Sequence, residues 1–157
     1  MTHFIFWQKW LLYSSLLFAF WGILLAVDGY NILLSAYNVG LCESLWGQKS
    51  FPLIAEPFHR FILGPLGGTI AACYILLAYI AAYPFKNREP WARNAVILAF
   101  ATWAIIDSAI AIYNHVYFHV YVVNIFSIVI KALPLIFTWR AFEKEKVNSS
   151  HKPISLG

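Results

Sequence analysis

Ionisable and polar side chains inside long apolar segments are the groups of this chain that could do chemistry. The clearest is Asp107, near the end of the apolar segment 90–115. Asn114 and His115 lie seven and eight residues further on, so a helix would carry all three on one face. A carboxylate inside a membrane segment costs roughly 2.5–3.5 kcal/mol on insertion scales and normally faces the protein interior or a wet cavity. This face is therefore the first candidate for a binding site.

The other apolar segments also carry polar groups near their ends, and tryptophans accompany two of the carboxylates. Trp21 shares a helical face with Asp28, and Trp103 lies four residues before Asp107, so both could form aromatic walls. The predicted ligand-binding residues are Asp107, Asp28, Glu56, His59, Asn114, His115, Asn124, Trp21 and Trp103.

Several chemistries fit these residue types. His59, His115 and His119 are metal-ligand types, and the last two are four residues apart, but no H-E-x-x-H motif occurs. The carboxylates of Asp28, Glu56 and Asp107 could serve as general acid and base in an apolar pocket. They could instead cap helices and pair with cations. No nucleophile elbow and no Gly-rich phosphate loop is present. We therefore predict no metal and no cofactor, and favour binding over catalysis.

The composition excludes an ordinary soluble domain. Of the 157 residues, 61% are hydrophobic, 18% aromatic and only 11% charged, and the mean hydropathy is +0.68. Since about 20 apolar residues cross a bilayer, the chain has room for four spans. We predict an all-α fold, a four-transmembrane-helix bundle forming one domain, 1–142, followed by a disordered cytoplasmic tail, 143–157. The predicted spans are about 10–37, 61–85, 91–114 and 119–140.

The connection 38–59 is too apolar for a free loop and predicts a short interfacial helix or lid in the first external loop. Glu56 and Arg60 are at a pairing distance if this part is helical. In the second span, Gly64, Gly68 and Ala72 form a small-residue pattern that predicts close helix packing.

The fourth span carries a polar stripe, in which Asn124, Ser127 and Lys131 follow i, i+3, i+7 spacing. Two alternatives stay open for Lys131. It could snorkel to the nearer interface, or it could form an ion pair with Asp107 or Asp28.

Basic residues set the predicted topology, and the net charge of +4 does not indicate a nucleic-acid partner because these residues lie between apolar segments and at the chain ends. The side that holds both termini would carry Lys9, Lys86, Arg88, Arg93, Arg140, Lys144, Lys146 and Lys152, against Lys49 and Arg60 opposite. We predict a multi-pass cell-membrane protein with both termini cytoplasmic, which in a Gram-negative cell would lie in the inner membrane. The intramembrane polar groups then gather in the external half.

From Phe61 onward, the segments GPLGGT, YPFKNREPWA, Trp103-x-x-x-Asp107 and ALPLIFTWRAF together resemble a group of uncharacterised bacterial four-helix membrane proteins. This resemblance implies fold and topology and no catalytic residue. A looser architectural likeness is to the four-helix family of sterol isomerases and sigma-2-type receptors. It implies a ligand pocket in which Asp28 and Glu56 take the places of that family's carboxylates.

Three functions follow as expectations. The first is a small integral membrane protein that binds a hydrophobic small molecule or lipid in an external-side polar cavity. The second is an accessory structural subunit of a membrane protein complex. The third is a membrane-embedded enzyme of the lipid isomerase type. In each case the lipid bilayer is the surrounding partner and nucleic acid is not.

Overall fold

The computed structural model describes residues 2–27 and 32–150 of the chain, with the side chains of 3–27 and 34–143. Within these ranges the regular structure is entirely helical, as predicted. Its elements are α1 (Thr2–Val27), α2 (Ile32–Trp46), α3 (Glu56–Ala82), α4 (Pro90–Tyr113), α5 (Tyr117–His119), a π-helical segment (Val120–Ile125) and α6 (Phe126–Ser150).

Four helical stretches of the described chain are long and apolar enough to cross a membrane. They are His3–Val27, Glu56–Ala82, Pro90–Tyr113 and Tyr117–Glu143, the last of which runs through α5, the π-helical segment and α6. Large apolar side chains cover the outer surface of these helices; Leu17, Leu76 and Ile105, for example, are each more than 60% exposed. Such a surface suits acyl chains and confirms the prediction of a four-helix membrane fold.

Three predicted boundaries differ from the structure. The first span begins at Thr2 and not near residue 10, because Phe4 and Gln8 are already buried in the bundle. Residues 32–37, predicted to end that span, belong to the separate helix α2, and residues 28–31 lie outside the described residues. The helix α6 extends to Ser150, through good helix formers, so 143–150 is helical where a disordered tail was predicted. Residues 151–157 lie outside the described residues.

The apolar core lies at one end of the bundle, where three phenylalanines meet. Phe4 of α1, Phe85 of the turn between α3 and α4, and Phe142 of α6 have ring centroids 4.9–6.1 Å apart. Leu11, Leu77 and Val96, among others, extend the same cluster. We call this the terminal end, because α1 begins there and the last helix returns there. Burial of these rings fixes the four long helices relative to one another.

Two glycines let α1 and α3 touch backbone to backbone. A Cβ atom on Gly67 would lie 2.5 Å from the Ala26 nitrogen and the Gly22 oxygen, and one on Gly22 would lie 2.6 Å from the Ala71 nitrogen. Backbone atoms cannot move aside as a flexible side chain can. This contact makes the α1–α3 pair the closest helix pair of the described chain.

The prediction that Gly64, Gly68 and Ala72 pack against a neighbouring helix is wrong within the chain. A Cβ on Gly64 or Gly68 would meet nothing within 4 Å, and Gly68 and Ala72 are exposed. The packing face of α3 instead carries Gly67 and Ala71. Neighbouring helix positions differ by about 100°, so the predicted pattern, which lies one position later along the helix than the observed one, selects a different face.

A proline inside α6 leaves a backbone carbonyl for a donor from another helix. Pro134 has no N–H, so the Ile130 oxygen of α6 lacks its usual helical partner. The Trp10 indole Nε1 of α1 donates to that oxygen at 3.1 Å. The proline thus contributes a cross-helix hydrogen bond between α1 and α6.

The α1–α3 contact gives a direct test of the fold. We expect Gly67→Ala to lower the free energy of unfolding in detergent by roughly 1–3 kcal/mol, because the new methyl group forces the two backbones apart. Gly68→Ala is the matched control and should be neutral or slightly stabilising, since its methyl group enters open space and alanine favours helix. Equal thermal shifts for the two variants would contradict the observed packing.

Candidate functional site

Three side chains from three helices form a hydrogen-bonded chain at the end of the bundle opposite the terminal end. His119 of α5 bonds through Nε2 to Oδ2 of Asp107 on α4 at 2.7 Å. Its other ring nitrogen, Nδ1, bonds to the Tyr37 hydroxyl of α2 at 2.8 Å. We call this arrangement the relay. It joins the long helix α4 to the two shorter helices α2 and α5.

The turn between α4 and α5 brings His119 back onto α4. His115 takes a left-handed backbone conformation, with φ of 60°, and the Val116 nitrogen donates to the Ala111 oxygen at 2.9 Å. The buried Val116 side chain anchors the reversal. His119 is the last residue of the short helix α5 that follows, twelve residues after Asp107 and close enough for their side chains to meet.

The π-helical segment sets the direction of the following side chains. Its wider turn accommodates an extra residue and rotates the chain relative to a regular α-helix, a feature that often occurs at functional sites. Here Asn124 is completely buried, and its Nδ2 donates to the Ser108 Oγ at 2.9 Å. Ser108 follows Asp107 directly, so the same part of α4 is held by two polar side chains of the last long helix.

Tyr37 enters the relay in its protonated form. Burial, and to a smaller extent the negative charge of Asp107, raises the pKa of Tyr37 from its ordinary value of 10.0 to about 12. Its hydroxyl therefore keeps its proton through the neutral range while it is hydrogen-bonded to Nδ1 of His119. Both ring nitrogens of His119 are then engaged within the protein.

The relay is partly open to its surroundings. The Asp107 side chain is 34% exposed, whereas that of His119 is 18% exposed. One face of the carboxylate is thus accessible while the other is held by the imidazole. A charge-assisted hydrogen bond to a carboxylate is about twice as strong as a neutral one, so Asp107 is the strongest acceptor that the relay presents.

Two residues predicted to share the Asp107 site have other roles. Asn114 donates from Nδ2 to the Ile110 oxygen and caps the end of α4. His115 is exposed and bonds through Nδ1 to the Tyr117 hydroxyl at 3.0 Å. The prediction that both would face the site with Asp107 is wrong, because α4 ends at Tyr113 and the backbone turns away there.

Glu56 and His59 belong to the beginning of α3 and to the loop that precedes it. Glu56 pairs with Arg60 at 3.1 Å, as their spacing predicted, and both side chains are exposed. The His59 ring stacks on Phe51 at 4.0 Å, and Phe51 in turn contacts Trp46 edge to face. These rings attach the loop 47–55 to α3. The predicted interfacial helix in this first loop is present as α2.

The remaining predicted residues are placed as follows. Trp21 is 39% exposed on the outside of α1, and Trp103 lies edge to face against Phe100 with centroids 6.1 Å apart. Asp28 lies outside the described residues. Of the predicted set, Asp107 and Asn124 are the two that the structure brings to the same place. Asn124, in the π-helical segment, bonds to Ser108, which follows Asp107 on α4.

Sequence reasoning missed Tyr37 and Ser108, and it considered His119 as a metal-ligand type and not as the hydrogen-bond partner of Asp107. Their partners come from different helices, and the pairing of His119 with Asp107 depends on the turn at His115. The sequence did contain a signal for this pair, because Asp107 comes shortly before the short turn at His115 and His119 shortly after it.

Lys131 forms a second polar cluster deeper in the bundle. It is 1% exposed, and its Nζ donates to Ser14 Oγ at 2.8 Å and to Ser15 Oγ at 3.2 Å. The ammonium also lies 5.0 Å from the Phe18 ring centroid and 5.1 Å from that of Tyr74. The predicted polar stripe is confirmed, because Asn124, Ser127 and Lys131 are all buried.

Two of the possibilities for Lys131, snorkelling and an ion pair with Asp107, do not match these contacts. A buried ammonium does not snorkel, and Asp107 bonds to His119. The alternative partner, Asp28, lies outside the described residues. Hydroxyl oxygens and aromatic faces instead solvate the cation within the described part of the chain.

The described residues hold no group of three or more His, Cys, Asp or Glu side chains placed to bind a metal ion. His115 and His119, which could have been two ligands on one helix, bond to Tyr117 and to Asp107 respectively. Cys42 and Cys73 are both free thiols.

Comparison with known proteins gave no match to a family model, to a curated protein or to a solved structure. The resemblances drawn from the sequence therefore stay predictions. The site has to be interpreted from its own geometry.

The relay predicts how firmly α2 is held. Tyr37→Phe removes one hydrogen bond, worth about 1 kcal/mol, so local opening of α2 and the loop after it should become roughly fivefold more frequent. We expect trypsin to cleave after Lys49 faster by that factor in detergent. Tyr121→Phe, at an exposed position, is the control and should leave the cleavage rate unchanged.

Substitutions of Lys131 and of its hydrogen-bond partner Ser14 should affect the free energy of unfolding differently. Lys131→Met keeps the length of the side chain and removes a buried charge, so the free energy of unfolding should stay equal or rise by up to about 4 kcal/mol. Ser14→Ala leaves the ammonium with one acceptor fewer and should lower it by about 1–3 kcal/mol. A larger loss for Lys131→Met than for Ser14→Ala in thermal unfolding would contradict the prediction, because it would show that the buried Lys131 side chain stabilises the protein on balance.

Proposed function

We propose that this chain is a small multi-pass membrane protein that binds an apolar molecule or lipid carrying one amine or hydroxyl group. The observation that carries the proposal is the relay, in which Asp107 is fixed by His119 on one side and accessible on the other. An amine or hydroxyl would donate to the accessible part of the carboxylate. The apolar helices around it would accommodate the rest of the molecule.

Hydrogen bonding in the relay supports binding over turnover. A general base needs a lone pair directed at the substrate, but both ring nitrogens of His119 are engaged within the protein, Nε2 with Asp107 and Nδ1 with Tyr37. Tyr37 itself stays protonated at neutral pH and is not an activated nucleophile. The group left for the ligand is the carboxylate, whose simplest role is to recognise a hydrogen-bond donor or a cation.

The distribution of basic residues supports an orientation for this site. The terminal end carries Lys9, Lys86, Arg88, Arg93 and Arg140, and these residues favour the cytoplasm. The relay would then lie towards the external face of the cell membrane. The helix α2 and the loop 47–55 would cover it from outside.

Binding can be tested with three long-chain probes that differ in their polar group. We expect dodecylamine to raise the unfolding temperature most, dodecanol less and dodecanoate least, because only the first two donate to a carboxylate. Asp107→Asn should weaken amine binding by roughly 10- to 100-fold, the equivalent of a lost charge-assisted hydrogen bond. Glu43→Gln, on the exposed face of α2, removes the same charge and is the matched control.

Native mass spectrometry of the purified wild type and of Asp107→Asn shows whether a natural molecule occupies the site. A small molecule or lipid released only from the wild type supports the proposal. The same probe affinities in both proteins would refute it. Stable copurification with other membrane subunits, and no bound molecule, would favour the alternative of an accessory subunit. Chemical conversion of the released molecule, dependent on Asp107, would favour the enzyme.

A further inference from the structure

A groove of about 700 Å³ lies at the terminal end, remote from the relay. Its walls come from the first half of α1, the end of α3 and the turn before α4. Phe4, Lys9 and Tyr13 contribute from α1, whereas Lys86 and Arg88 contribute from the turn. The groove is therefore built by segments far apart in sequence and depends on the folded bundle.

Three cations line this groove, and none of its described lining residues is acidic. The Lys9 and Lys86 side chains are exposed, so their ammonium groups are accessible to a ligand. Arg88 takes a left-handed backbone conformation, with φ of 61°, and its guanidinium lies over the Phe4 ring at 4.9 Å from the centroid. This contact directs one cation back across the start of α1.

Apolar side chains lie beside these cations in the groove. Phe4 and Leu12 of α1 line it, together with the buried side chain of Gln8. The two tyrosines at its edges, Tyr13 and Tyr83, are more than 60% exposed, as is typical of side chains near a membrane interface.

We infer that this groove binds an anionic phospholipid. The phosphate group lies among Lys9, Lys86 and Arg88, and one acyl chain follows α1 towards the bilayer centre. Charge complementarity selects the headgroup, because three cations with no carboxylate among the described lining residues favour an anion. The apolar side chains beside them favour a lipid over a free phosphate ion, since they give an acyl chain a surface to contact.

Native mass spectrometry tests this inference on the full chain in nanodiscs of equal parts phosphatidylglycerol and phosphatidylcholine. We expect the wild type to retain phosphatidylglycerol preferentially after gentle release. Each basic residue near an anionic lipid surface strengthens binding roughly fivefold, so the double variant Lys9→Gln/Lys86→Gln should retain it roughly 10- to 30-fold less. Ile5→Trp keeps every charge and fills the groove from an exposed position, and it should also lower retention.

Matched controls separate the groove from the general charge and apolar surface of the protein. Arg140→Gln/Lys49→Gln removes the same net charge outside the groove, and Leu17→Trp adds the same bulk at an exposed position outside it. Both should retain phosphatidylglycerol as the wild type does. Thermal unfolding confirms that each variant is folded.

Three results would overturn the inference. They are equal retention of both lipids by the wild type, an equal loss in the control variants, and displacement of phosphatidylglycerol by millimolar glycerol 3-phosphate, which would indicate a soluble anion site. Asp107→Asn should leave phosphatidylglycerol retention unchanged. The outcome is therefore independent of the ligand proposed for the relay.

Discussion

A carboxylate in an apolar helix needs a partner, and the arrangement of one end of this protein follows from how Asp107 obtains one. The imidazole of His119 bonds to it at 2.7 Å and is itself held by Tyr37 at 2.8 Å. To bring these groups together, the chain reverses at His115 and α2 supplies Tyr37. One hydrogen-bonded chain therefore fixes three helices and leaves a partly accessible charge between them. In an apolar environment such networks hold their members more firmly than in water.

The two ends of the bundle are held together by different interactions. At the terminal end, the rings of Phe4, Phe85 and Phe142 form a dry core, and further along the bundle Gly22 and Gly67 bring α1 and α3 into backbone contact. Towards the relay, hydrogen bonds between polar side chains hold the helices together, beginning with those of Lys131. An apolar surface gives little driving force for helix association in lipid, so close packing and hydrogen bonds must supply it. The rigid terminal end then supports a relay end built from short helices and a loop.

The sequence predicted the all-helical class, the four apolar spans and the interfacial helix, because length and hydropathy are properties of single segments. It also identified Asp107, the Glu56–Arg60 pair and the buried stripe through Lys131, since each follows from spacing within one helix. The sequence did not predict the contacts between helices. Gly67 and not Gly68 faces α1, and His119 reaches Asp107 across a turn with a left-handed residue. Those features depend on helix rotation and backbone reversal, which periodicity does not encode.

The two hydrogen bonds of the His119 ring are the central claim, and nitrogen-15 NMR of the histidine side chains reports on both ring nitrogens. The His119 resonances are assigned by their loss in His119→Gln. Asp107→Asn should shift the Nε2 resonance, and Tyr37→Phe should shift that of Nδ1. Resonances that neither substitution moves would contradict the relay and the binding site built on it.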